Sequence, residues 1–186
     1  LCSSCQTLFL DSEDPAELEV LRDPADFHNL KAALKATALP GRLPAAYMDS
    51  GNLPAEKIRQ AVEGQDFYAL PACMRTTAKQ AWEVLAETRD GQLCDIIVDR
   101  GCLEAINAKG KESGNPALKE YAEVTVACAN IKTALRCAAT KKDAGFIRRA
   151  LAGCTGLSAE ELARAAGEGT EAVCVYLSST RYGAAA

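Results

Sequence analysis

The chain has 186 residues, 48% of them hydrophobic, and 21 basic against 25 acidic side chains give a net charge of −4 at pH 7. That length and apolar content suffice for one large or two small cores, and the acidic balance argues against a nucleic-acid partner. No apolar run approaches the roughly 20 residues that cross a bilayer, and nothing resembles a signal peptide. Ala and Leu dominate the apolar residues while β-branched and aromatic side chains are few, so helix is favoured over sheet and the fold class is read as all-α.

Taken in chain order, Asp23-Pro24 reads as a capping carboxylate ahead of a proline at the first helical position. Phe27, Leu30, Leu34 and Ala38 follow at three- and four-residue spacing, which predicts a helix from about Pro24 to Leu39, stopped by Pro40-Gly41. A loop rich in Gly, Pro, Asp and Asn reaches Asn52, and Pro54 opens a short helix that stops at Gly64. Leu70-Pro71 begins a longer helix through Trp82 and Leu85 towards Arg89, broken by Asp90-Gly91. The segment from Leu93 to Lys109 contains Ile96-Ile97-Val98, a run that suits a buried strand. Leu103 and Ile106 continue a helical period, so it is assigned as helix.

Gly110 to Gly114 reads as a polar linker. Asn115-Pro116 caps the longest predicted helix, which leaves at about Lys141, and Ser158 with Glu161 forms a capping box after Gly156. The chain opens on Leu1 and closes on Gly183-Ala184-Ala185-Ala186, the start of another Ala-rich helix. These ends are expected of a fragment.

Two stretches repeat. Asn29-Leu30-Lys31-Ala32-Ala33-Leu34-Lys35 matches Asn130-Ile131-Lys132-Thr133-Ala134-Leu135-Arg136 at an offset of 101 residues. Downstream, Leu53-Pro54-Ala55-Glu56-Lys57-Ile58 matches Leu157-Ser158-Ala159-Glu160-Glu161-Leu162 at an offset of 104. Order is kept and spacing drifts by three, which predicts an internal duplication: 1–22 as the end of a preceding unit, 23–114 as a complete helical unit, and 115–186 as a second, truncated one. Each copy carries a cation pair one turn apart, Lys31 with Lys35 and Lys132 with Arg136, opposite the apolar face of its helix. Such pairs are either solvated charges or a surface that grips an acidic partner or carbonyl-rich helix ends. With Asn29 and Asn130 they form the candidate partner-binding set.

Catalytic constellations are missing from the pattern. There is no glycine-rich phosphate loop, no G-x-S-x-G turn, and His28 is the only histidine, so the sequence predicts neither an enzyme nor a nucleotide or cofactor site. Asp95 and Asp99 stand four residues apart, a spacing usual for solvated carboxylates. Cys2-Ser3-Ser4-Cys5 lacks the second ligand pair of a structural zinc site. The other seven cysteines are scattered singly, as expected of reduced thiols in a reducing compartment.

Asp26-Phe27-His28-Asn29-Leu30-Lys31-Ala32-Ala33-Leu34-Lys35-Ala36 resembles the D-[YF]-H-N-[IL]-K-x-x-[LF]-K-A signature of the C subunit of V-type and archaeal A-type ATPases, known as the d subunit in eukaryotes. Asn130 to Arg136 resembles the later N-[IL]-K-x-x-[LF]-R element, and Asp95-Ile96-Ile97-Val98-Asp99-Arg100 the segment between. One departure is that the counterpart of Asp26 in the second copy is Ala127, which weakens the expectation of equivalent polar contacts. The resemblance implies an all-helical, funnel-shaped protein of three similar units around a pseudo-threefold axis. It implies a non-catalytic rotor part, cytoplasmic and peripheral to the membrane, whose partners are the D and F subunits of the central shaft and the proteolipid ring. The alternative is a helical interaction scaffold unrelated to rotary ATPases, and a third reading, a redox or metal protein, rests on Cys2 and Cys5 alone.

Overall fold

The computed structural model describes residues 15–39 and 46–183. Cys2, Cys5, the Pro40-Gly41 stop, the alanines at 184–186 and most of the 1–22 segment lie outside the described residues. Within them the chain is all-α, with no strand. The helices are α1 (Pro15–Ala38), α2 (Ala55–Glu63), α3 (Ala72–Thr88), α4 (Gly91–Glu112), α5 (Pro116–Ala139), α6 (Ala144–Ala150), α7 (Ala159–Glu168) and α8 (Thr170–Ser178), with a 3₁₀ turn at Phe67–Ala69.

Local chemistry sets most of the ends. Arg89 closes α3 in the left-handed conformation (φ 55°) and donates its backbone N–H to Leu85. The Asp90 carboxylate then accepts from the backbone N–H groups of Gln92 and Leu93 at 2.8 and 3.0 Å, so α3 and α4 form a tight helical hairpin. Asn115 caps α5 in the same way through Ala117 and Leu118. Ser158 accepts from the Glu161 N–H at 3.3 Å, but the return half of the expected capping box is absent. The Ser158 N–H instead donates to the Tyr176 hydroxyl at 2.9 Å, which ties the start of α7 to α8.

Two expectations need correction. Helix α1 does not begin at Pro24 but runs straight through it, and Asp23 is no cap. Asp23 is buried and accepts from Lys109 Nζ at 2.7 Å and Asn52 Nδ2 at 3.1 Å. An internal proline removes one helical hydrogen bond and crowds the carbonyl four residues back. The helix persists because Val20 on one side of Pro24 and Phe27, Leu30 and Leu34 on the other enter the same core. Nor is Gly110 part of a linker: α4 continues to Glu112 and only Ser113 and Gly114 separate it from the Asn115 cap. A Cβ at Gly110 would lie 2.4 Å from that of Ala122, and one at Gly101 would lie 2.2 Å from the Thr77 hydroxyl. Each glycine lets α4 approach a neighbour, α5 at one end and α3 at the other.

Buried apolar side chains gather in two cores. The first holds α1 to α4 and the start of α5, through Leu118 and Ala122. The second holds the rest of α5, through Ala127 and Ala134, together with α6, α7 and α8. Cys94 and Cys102 belong to the first core, where burial pushes their thiols up to about 11 and about 12, so they act as small hydrophobes. Helix α4 packs on α1, α3, α5 and α6, which makes it the floor between α1 and α5.

Candidate partner-binding site

Asn29 and Asn130 are buried, at 0% and 1% exposure. Each uses its amide as a two-pronged clamp on one residue of a later loop. Asn29 donates Nδ2 to the Met48 carbonyl at 2.8 Å and accepts the Met48 N–H at 2.8 Å, 19 residues on. Asn130 donates to the Ala152 carbonyl at 2.6 Å and accepts the Ala152 N–H at 3.0 Å, 22 residues on. A primary amide presents a donor and an acceptor side by side, as this contact requires. The two asparagines therefore hold the loops that follow their helices.

A carboxylate reinforces each clamp. Asp26 accepts from the N–H groups of Asn52 and Leu53 at 3.0 and 3.1 Å, and Glu123 accepts from those of Thr155 and Gly156 at 3.0 and 2.5 Å. Ala127 is the counterpart of Asp26 and makes no such contact, yet a carboxylate of the same helix still meets the loop. Glu123 supplies a corresponding contact from one turn earlier, to Thr155 and Gly156. Asn107 of α4 also donates to the Gly153 carbonyl at 2.8 Å, so helices on both sides hold the 151–157 loop.

Burial by itself would raise the Glu123 carboxyl. The donated N–H groups of Thr155 and Gly156 outweigh that and hold it below the usual carboxylate range. Because the folded value is depressed, the stabilisation is complete above the ordinary glutamate value near 4.5 and is lost as pH falls through the folded value. Glu123→Gln is expected to unfold in urea with about 1–2 kcal/mol less free energy at pH 7. Repeating the measurement at falling pH should show the gap narrow as pH drops below the ordinary value near 4.5 and through the depressed folded value, and a gap independent of pH would contradict this assignment.

The four candidate cations divide into two pairs with different fates. Lys31 contacts Asp99 at 2.5 Å and Lys35 contacts Asp95 at 2.7 Å. The i, i+4 cations of α1 thus meet the i, i+4 carboxylates of α4 in reversed order, forming a two-rung ladder between antiparallel helices. Asp95 and Asp99, read from the sequence as merely solvated, are its other half. Lys132 and Arg136 are exposed and make no ion pair among the described residues.

A groove brings these residues together. Two adjoining cavities of about 390 and 430 Å³ lie over α4 between α1 and α5, sharing Lys31, Asp99, Thr133 and Arg136. Lys132 lines the second, and Lys142, which donates to Gln92 at 2.8 Å, lines the first. Three of the four candidate cations therefore face one depression, with positive charge in excess on the α5 side. No helix among the described residues is long and apolar enough to cross a membrane.

Comparison with known proteins places the sequence among relatives. The chain is 30% identical over 132 residues to the C subunit of the V-type ATP synthase of Thermus thermophilus, covering 68% of this chain and 40% of that protein. It is 29% identical over 121 residues to the C subunit of the V-type sodium ATPase of Enterococcus hirae, covering 65% of this chain and 37% of that one. The chain thus spans about 40% of the length of the curated relatives it matches. No solved structure matches it significantly. The family model for the ATP synthase (C/AC39) subunit matches residues 3–186, and the chain belongs to that family.

Proposed function

We propose that this chain is part of a non-catalytic rotor component that joins the D and F subunits of the central shaft to the membrane proteolipid ring, so that ATP turnover and ion transport are coupled through rotation. The observation that carries this reading is the family match over residues 3–186, together with relatives named as the C subunits of V-type enzymes. The physical features agree with a part that transmits torque. Two helices of 24 residues, each about 36 Å long, are pinned to their following loops by buried amide and carboxylate clamps.

The duplication is part of the same proposal, with units at 23–114 and 115–186. Its support is that both copies clamp a loop with the same asparagine, and that the clamp lengthens from 19 to 22 residues, the same three residues by which the sequence offsets drift. Of the candidate residues, Lys132 and Arg136 are exposed and unpaired among the described residues. Lys31 and Lys35 are engaged within the chain, and Asn29 and Asn130 support the loops.

Affinity purification of the full-length protein from its own cells tests the role. The D and F subunits and the proteolipid ring should be recovered with it, and membranes lacking it should hydrolyse ATP without transporting ions. Membranes that couple hydrolysis to transport normally in its absence would overturn the proposal.

A further inference from the structure

The two copies treat their cation pairs differently. Lys31 and Lys35 are met by Asp99 and Asp95, which lie 68 and 60 residues further along the chain. Lys132 and Arg136 stand at the matching positions of α5, again four residues apart, and meet no carboxylate among the described residues. Three other features of the first copy do have counterparts in the second. They are the asparagine clamp, the carboxylate on the loop N–H groups, and the short helix after it, whose leading apolar residues Ile58 and Leu162 are both fully buried. The acidic rungs do not recur among the described residues.

The same spacing places those rungs 60 to 68 residues beyond the Lys132 and Arg136 pair, past Ala186. The curated relatives, of which this chain spans 40% and 37%, are longer than this chain. We propose that Lys132 and Arg136 are the open half of a second ladder, closed by a later helix of the same polypeptide that presents two carboxylates four residues apart and lies antiparallel to α5, as α4 does to α1. Charge complementarity supports this occupant, because a cation pair one turn apart is matched by acidic side chains with the same rise of about 6 Å. The inference rests on the duplication and not on the rotor role.

Carbodiimide coupling of the full-length protein, within its purified complex, reads the contact directly. The reagent condenses a lysine amine with a carboxylate already in ion-pair contact, and peptide mapping locates both ends. The Lys31–Asp99 amide provides the internal standard. The expected result is an amide from Lys132 to an Asp or Glu of the same polypeptide 68 residues later, as Asp99 stands to Lys31 in the first ladder, lost in Lys132→Arg, which keeps the charge but does not couple. A Lys132 amide to a different polypeptide, or no Lys132 amide where Lys31–Asp99 has formed, would overturn the proposal. Either outcome leaves the rotor role to be judged by purification of the complex.

Discussion

Asn130→Ala should unfold in urea with about 3 kcal/mol less free energy than the parent chain, whereas Asn29→Ala should lose only about 1 kcal/mol. Both substitutions remove the same pair of hydrogen bonds, so the difference comes from what is left behind. Ala152 is fully buried while Met48 is 46% exposed. Without Asn130, the N–H and carbonyl of the buried Ala152 lose their partner, and each such group costs about 1–3 kcal/mol. Without Asn29, the Met48 groups turn to water. Asn130→Asp should not rescue stability, because it restores the acceptor for the Ala152 N–H but sets an oxygen against the Ala152 carbonyl. Equal and small losses at the two positions would show that the clamps do not hold the loops.

Charge reversal should separate the two cation pairs. Lys31→Glu with Lys35→Glu places four carboxylates along the α1–α4 contact and should lower the stability of the 186-residue chain by about 2 kcal/mol, judged from like-charge pairs replacing partly exposed ion pairs. Lys132→Glu with Arg136→Glu should leave the same chain within about 0.5 kcal/mol of the parent, since neither side chain has an ion-pair partner among the described residues. In the full-length protein the order should reverse in effect. Reversal at 132 and 136 then opposes the acidic element that docks on α5, at a cost of several kcal/mol, and a loss of about 3 kcal/mol would read as a fall of roughly 150-fold in the docked population. Thermal unfolding of both lengths, with recovery of the assembled complex, measures each part. Normal melting and normal assembly with reversal at 132 and 136 would make that pair a solvated face.

These effects arise from contacts of very different reach, and reach decides what is legible in the chain alone. The sequence by itself determined the fold class and most helix ends, because the signals act within one turn: Asp90 and Asn115 cap the residues two and three places on, and Gly64 stops α2 where expected. It also determined the family, because the D-F-H-N-L-K-A-A-L-K-A run is contiguous, and its repeat at Asn130 pointed to the two residues that clamp the loops.

What those residues do was decided by tertiary structure. A proline inside α1 is tolerated only because core contacts on both sides hold the helix, and Gly110 belongs to α4 only because α5 packs against it. Glu123 could replace the missing second aspartate because one helical turn returns to the same face, a signal present in the sequence as an acidic residue four before Ala127 but meaningless until the loop at 155–156 is in place. The same limit explains the cations. Lys31 and Lys132 are indistinguishable by local pattern, and the carboxylate that engages one of them lies 68 residues away on another helix.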